Sequence, residues 1–282
     1  MNFLISTTKN QPPTASLFRQ TAVELGHEVE FWFPEEEPLG TRDFDNFLCF
    51  YTALNYDDSD LTQAIEALNS HPFNFLNHPA SLLKVRGKDK QGDLFKSLSL
   101  PYIPSLILEG DPMVKNELVK NLFDFAGKII IKPFRGNKGI GVSFYENLSL
   151  VEKRLQDDFL RSDQRWLIQP WMENTGEVRV LFYDNNPLLA FRKKSAEGSF
   201  LNNLGQGSTI EDIATNQVDR NLLEMCSKIA GHTGLRYFAA DFLETENGPV
   251  CLEVNTSPGL IYTSKFYKRN LAKEILEHEI KK

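Results

Sequence analysis

The chain is poor in cysteine and histidine, and that scarcity narrows what it can be. It carries three cysteines in 282 residues, Cys49, Cys226 and Cys251, an odd number set far apart. They do not form a disulfide framework; they read as buried reduced thiols in a cytoplasmic protein. The five histidines, His27, His71, His78, His232 and His278, show no ligand spacing, so no zinc site is expected. No apolar run approaches the length of a membrane span. The first residues, Met1 to Ser6, lack the basic start and long apolar stretch of a secretory signal and read as a strand. Positive charge is also short: a net charge of −7 argues against a nucleic-acid or membrane surface. There are no internal repeats and no low-complexity tracts. What is present is ordinary globular composition, 41% hydrophobic and 24% charged. The length suits about two domains, or one large domain with subdomains.

Hydrophobic periodicity gives an α/β (α+β) chain. Asn2–Ser6, Glu28–Phe33 and Asn46–Tyr51 read as strands, as does Phe73–Leu76. Helices are expected over 15–25, stopped by Gly26, and over 59–69. This order suggests a small open α/β sheet over residues 1–78, without a glycine-rich dinucleotide fingerprint. Asn77-His78-Pro79 looks like a boundary. A lysine-rich helical section follows, then alternating strands and helices to about residue 161, including a strand over 140–145. From Arg165 onward strands dominate, interrupted by a helix over 217–230 and closed by a single helix over 265–280.

Three constellations carry chemistry. The first is Glu253-Val254-Asn255, preceded by a strand containing Asp241. A two-residue turn at Asn247-Gly248 would set Asp241 opposite Val254. A three-residue loop, Glu246–Gly248 with Gly248 left-handed, sets Asp241 opposite Glu253. The second register is preferred, because it sorts the side chains into two clean faces. One carries Asp241, Glu253 and Asn255; the other carries Phe238, Ala240, Phe242, Val250, Leu252 and Val254. Two carboxylates and an amide oxygen at one spot need a cation, and oxygen donors suit Mg²⁺. The plain alternative is a solvated strand face. The second constellation is Lys132 at a strand end, then a loop with Gly136, Gly139 and Gly141. Such a loop lets backbone N–H groups approach phosphates, although a hairpin turn would need the same glycines. In the third, a turn at Asn185-Asn186 would set Arg179 opposite Arg192 and Glu177 opposite Lys194. That face could hold anions, or be a solvated sheet with a cross-strand ion pair.

Taken in order, these pieces resemble the ATP-grasp superfamily, in particular its RimK-like ligases. The resemblance runs from about residue 77 to 262. It is carried by Asn77-His78-Pro79, Gly87-Lys88, Lys132-Pro133-x-x-Gly136-x-x-Gly139-Ile140-Gly141-Val142 and Ile168-Gln169-Pro170-Trp171-Met172. It continues through Glu177-Val178-Arg179, Glu197 to Leu204, Asp241 and Glu253-Val254-Asn255-x-Ser257-Pro258-Gly259. It implies an N-terminal subdomain (1–78), a subdomain with the phosphate loop (79–168) and a C-terminal subdomain with a metal site (169–282). The last two would clamp ATP between them.

By the resemblance, Lys88 and Lys132 contact ATP, and Gly136, Gly139 and Gly141 belong to the loop over its phosphates. Gln169, Trp171 and Met172 form the adenine linker, and Glu177 holds the ribose. Asp241, Glu253 and Asn255 would bind two Mg²⁺ ions, with Mn²⁺ as an alternative. Arg179, Lys194 and Asn203 would contact transferred phosphate and substrate. The implied reaction is ATP-dependent joining of a carboxylate to an amine through an acylphosphate. Amino acids, small cofactors and peptide or protein termini are the substrate classes, and a homo-oligomer is common in the family. A non-catalytic ATP sensor or scaffold, and a phosphotransferase, are the rival readings. Three positions depart from the family pattern: Pro170 replaces an acidic linker residue, Gly205-Gln206-Gly207 replaces His-Arg-Gly, and Gly87 replaces Asp.

Overall fold

The computed structural model describes residues 1–9, 12–34, 36, 40, 45–49, 65–66, 68, 74–110, 112–134, 140–159, 165–194 and 208–282. The helix expected over 59–69 falls almost wholly outside them, as does the loop glycine pair Gly136 and Gly139 and the candidate Asn203. Among the described residues no helix is long and apolar enough to cross a membrane.

The N-terminal sheet is parallel, in the order β2-β1-β3-β4, from β1 (Asn2–Ser6), β2 (Glu28–Trp32), β3 (Asn46–Cys49) and β4 (Asn74–Phe75). Helix α1 (Pro13–Glu24) joins the first two strands. Proline at its first position suits a helix start, and Gly26, at φ +83°, ends the turn that follows it. Two helices, α2 (Pro79–Leu83) and α3 (Lys88–Ser97), lead to the second sheet. That sheet is antiparallel, in the order β5-β8-β6-β7. Its strands are β5 (Leu106–Leu108), β6 (Ile129–Pro133), β7 (Ser143–Tyr145) and β8 (Trp166–Pro170). Helices α4 (Pro112–Ala126) and α5 (Leu148–Phe159) pack against each other, and Val119 and Val151 share an apolar cluster with Ile129, Ile131 and Ile168 of this sheet.

The third sheet has the order β11-β10-β9-β12-β13 and is antiparallel throughout. Its strands are β9 (Glu177–Tyr183), β10 (Asn186–Lys194), β11 (Thr209–Ile213), β12 (Tyr237–Thr245) and β13 (Gly248–Asn255). The edge strand β11 is not foreseen from the sequence. One face buries Val180, Phe238 and Phe242 against Leu222, Cys226 and Ile229 of α6 (Arg220–Thr233). Burying one such phenylalanine contributes roughly 1.5–3 kcal/mol. Asp219 caps α6 by accepting from the Asn221 N–H (2.7 Å), and Gly234 closes it in the left-handed region.

The other face buries Leu181, Phe191 and Tyr237 against α1 and two C-terminal helices, α7 (Leu260–Tyr267) and α8 (Leu271–Ile280). The sequence suggested one continuous helix here. Lys268 breaks it with φ +51°, and Asn270 starts a second by accepting from the Lys273 N–H (3.1 Å). Arg236 then ties three parts together. It donates to both oxygens of Asp184 (2.8 and 3.2 Å), to both oxygens of Glu279 (2.6 and 3.1 Å) and to the Phe75 carbonyl (2.5 Å). Asp184, His278 and Glu279 lie close enough to ligate a metal, but Arg236 and Lys282 already neutralise the two acids. Cys226 and Cys251 are free and buried, and burial pushes the Cys251 thiol up to about 12.

Candidate active site

The face of the third sheet that is apolar at one end is charged at the other. Alternation along β9 sends Glu177 and Arg179 to the same side as Leu181. Asp241 of β12 pairs directly with Arg179 and, on its other flank, with Glu253 of β13. The preferred Asp241–Glu253 register is thus present, but it arises differently. The turn is two residues, Glu246-Asn247, with Thr245 opposite Gly248. Phe242 faces Cys251 while Asp241 faces Glu253, so Leu252 is an extra residue, a β-bulge. The bulge also corrects the expected face. Cys251 takes the place expected of Val250 and Leu252 beside Phe242. Val250 and Leu252 join Ile103, Leu243 and Met172 in a small apolar cluster on the charged side.

The β9–β10 register differs from expectation by one residue. Asp184 and Asn185, at φ +48° and +61°, form the turn, so Tyr183 faces Asn186. A second bulge follows at Leu188, next to Pro187, which has no N–H for the ladder. Lys193, not Lys194, therefore faces Glu177. Lys194 points away and bonds Glu211 of β11 at 2.8 Å, with its side chain 54% exposed. Arg192 is turned away as well and binds Glu244 through two nitrogens. Asp184-Asn185, rather than Asn185-Asn186, was the readable signal for this register.

Asp241 is the hub. Its carboxylate accepts from Arg179 Nε (2.6 Å) and Nη2 (2.5 Å) and from Lys193 Nζ (3.3 Å). Lys193 also pairs with Glu177, and both are buried. Burial works against the Asp241 charge, but Arg179 and Lys193 outweigh it and hold the carboxyl below its usual range. Burial likewise opposes the Arg179 charge, and Asp241 overcomes it, raising the guanidinium's pKa. Glu253 is exposed. Asn255 Oδ1 accepts from the Ser257 N–H (3.0 Å), an Asx turn that leads into α7.

Two lysines from other elements reach the same region. Lys88, first in α3, donates to the Pro133 carbonyl at 2.6 Å. Burial and the neighbouring Lys88 charge push the Lys132 ammonium down to about 8, against the pull of Glu253. Burial lowers the Lys88 pKa too, and Glu253 again opposes it. Gly87 takes φ +94° and ψ +146°, a region almost closed to other residues, and an added Cβ would lie 2.5 Å from Asp89 Oδ1. Any residue with a Cβ, aspartate included, would be strained in this backbone conformation. Gly141, at φ +75°, brings the returning chain onto Pro133, where a Cβ would meet Cγ at 2.8 Å. It sits in a turn, so the strand expected from Ile140 begins only at Ser143.

In the β8–β9 linker, the Trp171 N–H donates to the Lys128 carbonyl (2.9 Å) and its ring meets Phe144 edge-on. Gln169 is buried, with its amide donating to Ser105 Oγ (2.7 Å). Met172 lies in the apolar cluster beside Leu243. The donor atoms are of the type a hard cation takes, but Arg179 and Lys193 already compensate the Asp241 charge, so Glu253 and Asn255 are the more open donors. Asp241 uses three of about four acceptor sites, and Asn255 uses one of two on its oxygen. All the remaining donors are oxygens, with no thiol or imidazole.

The RimK-like ATP-grasp domain family matches residues 100–278. A probable alpha-L-glutamate ligase of Vibrio atlanticus is 30% identical over 204 residues, which cover 72% of this chain and 65% of that protein. One of Trichodesmium erythraeum is 32% identical over 134 residues, 47% of this chain and 44% of its own length. The match to these curated relatives therefore spans less than two thirds of their length. Among solved structures, the ATP-grasp ligase PsnB complexed with a phosphomimetic variant of its minimal precursor, Mg and ADP aligns with a TM-score of 0.73. It is 17% identical and covers 98% of this chain and 97% of its own. The D-cycloserine synthetase DcsG aligns with a TM-score of 0.70 at 18% identity, covering 99% of both chains. Such identities show a shared fold. With the family match covering more than half of it, the chain belongs to the RimK-like ATP-grasp family.

Proposed function

We propose that this protein uses ATP to join a carboxylate to an amine through an acylphosphate, with glutamate as one of the two substrates. The observation that carries the reading is the opposition of charge at one place in the fold. Asp241 and Glu253 stand side by side on a hairpin, and Lys88 and Lys132 approach from two other elements close enough to interact with Glu253. The relatives named alpha-L-glutamate ligase support glutamate.

The nucleotide base would lie on the cluster of Ile103, Leu243, Val250, Leu252 and Met172. The Trp171 amide is already committed to Lys128, so Met172 would supply the linker's N–H to adenine. Glu177 would meet the ribose, with Lys193 beside it fixing its orientation. Lys88, Lys132 and the loop containing Gly136, Gly139 and Gly141 would hold the phosphates in line for attack. Asp241, Glu253 and Asn255 would hold Mg²⁺, which supplies neutralisation of charge on the transferred phosphoryl group. Arg179 uses two of its five N–H donors on Asp241; the others would meet the substrate carboxylate and the oxyanion that forms when the amine attacks. Asn203 would join it, and Lys193, which faces Glu177 where Lys194 was expected, would take the role expected of Lys194.

The test is ADP release with ATP and Mg²⁺, with glutamate and a short peptide supplied together and singly, and mass analysis of the products. Release that needs both, with a product heavier by one glutamyl residue, is expected. Nucleotide binding without such release would favour the sensor reading; a stable phosphorylated product would favour a phosphotransferase.

Lys132 adds a pH signature. Burial and the Lys88 charge lower its pKa to about 8, and a bound polyphosphate would raise it again. Nucleotide affinity is therefore full below about pH 8 and falls as pH rises through it. Calorimetry of ADP binding in buffers of different ionisation heat is expected to show no proton uptake at about pH 6 and nearly one proton at about pH 9. In Lys132→Met that uptake disappears.

A further inference from the structure

Strand β13 is an edge strand, and it is bulged at Leu252, immediately before Glu253. A bulge interrupts the ladder, and an edge strand has no second neighbour to repair it. Asp241 and Glu253 thus sit beside a break in the ladder, Glu253 on an edge strand whose outer flank carries, among the described residues, the isolated bridge of Tyr102 with Cys251. Among the described residues, contacts from outside the sheet flank the bulge on both sides. On one side of the bulge the Cys251 N–H donates to the Pro101 carbonyl (2.8 Å). On the other side stands Gln91 of α3. Its Oε1 accepts from the Val254 N–H (3.0 Å), and its Nε2 donates to the Val254 carbonyl (3.0 Å). One side-chain amide thereby replaces a missing strand residue, and Val254 lies between Glu253 and Asn255. The same Nε2 donates to the Val85 carbonyl (3.1 Å), which fixes the amide's orientation. Gln91 also follows Lys88 by one helical turn, so both project from one side of α3.

We propose that Gln91 is a positioning residue for the metal-binding strand. It clamps Val254 and so sets where Glu253 and Asn255 stand relative to Lys88, coupling the phosphate-facing helix to the acids. This rests on the reading of Glu253 and Asn255 as Mg²⁺ ligands. Residues that orient metal ligands without touching the metal are commonly worth about 10- to 100-fold in metal affinity.

The experiment measures ADP affinity by calorimetry with and without MgCl₂, in wild type, Gln91→Met and Gln91→Glu. Methionine preserves length and removes all three hydrogen bonds. Glutamate keeps the acceptor for the Val254 N–H and loses both donors. The expected result is an unchanged affinity for ADP alone. The Mg²⁺-dependent gain in affinity is expected to shrink about tenfold in Gln91→Met and less in Gln91→Glu. A lower melting temperature with the full Mg²⁺-dependent gain would reduce Gln91 to a structural tether and overturn the proposal. Absence of that gain in wild type itself would overturn the metal reading beneath it, a separate failure.

Discussion

Glu253→Gln is expected to lose turnover by about 10²- to 10³-fold, the scale for removing one group that meets charge in the transition state. Its melting temperature is expected to stay where it is. Glu253 is exposed, and among the described residues no ion pair within 4 Å depends on it, so the change belongs with surface substitutions worth within about 0.5 kcal/mol. The same substitution removes the charge that opposes the lowering of Lys88 and Lys132. ADP-release assays and thermal melts on one preparation check both halves. Retained turnover would remove Glu253 from the site.

Asp241→Asn is expected to behave differently. From the sequence alone Asp241 is an acid on a hairpin face, and Asp241→Asn is expected to remove turnover while leaving the fold intact. The structure contradicts the second part of that expectation. Asp241 is 2% exposed and compensates Arg179 and Lys193. Breaking a buried pair from one side commonly costs 3–5 kcal/mol, because the remaining charge is left without a counter-charge. Lys193 retains Glu177, and an asparagine oxygen can still accept from Arg179, so the lower end applies, about 3 kcal/mol. For a chain of this size that is a fall in Tm of roughly 6 °C. Turnover is lost as well. The double variant Arg179→Met with Asp241→Asn is expected to recover part of the stability and none of the activity. A melting temperature equal to wild type in Asp241→Asn would mean that the Arg179–Asp241 pair is not held as described.

The fold class was legible because it rests on long-range pattern. Alternation and turn residues marked most strands, and the order of Lys132, Glu177, Asp241 and Glu253 marked the family. What escaped was local and geometric. Lys193 was hidden by one residue of register, set by left-handed Asp184 and Asn185 and by the bulge beside Pro187. The pairing of Asp241 with Glu253 was reached from a wrong turn, because a bulge at Leu252 makes the same shift as one more loop residue. A bulge has no composition of its own, so periodicity cannot distinguish the two. The break between α7 and α8 does have a signal, Asn270 as a cap, but apolar spacing runs across it. Gln91 lies outside any pattern read along the chain: its partner is the backbone of a strand 163 residues away.

The most direct test of the acylphosphate is the fate of a carboxylate oxygen. The carboxylates of glutamate and of a short peptide acceptor would both be labelled with heavy oxygen and supplied with ATP and Mg²⁺. Attack of a carboxylate on the γ-phosphate carries one of its oxygens into the phosphate that leaves when the amine attacks. The account predicts labelled inorganic phosphate together with an amide-linked product. Unlabelled phosphate alongside intact substrates would mean that water, not a carboxylate, attacks ATP, and would contradict it.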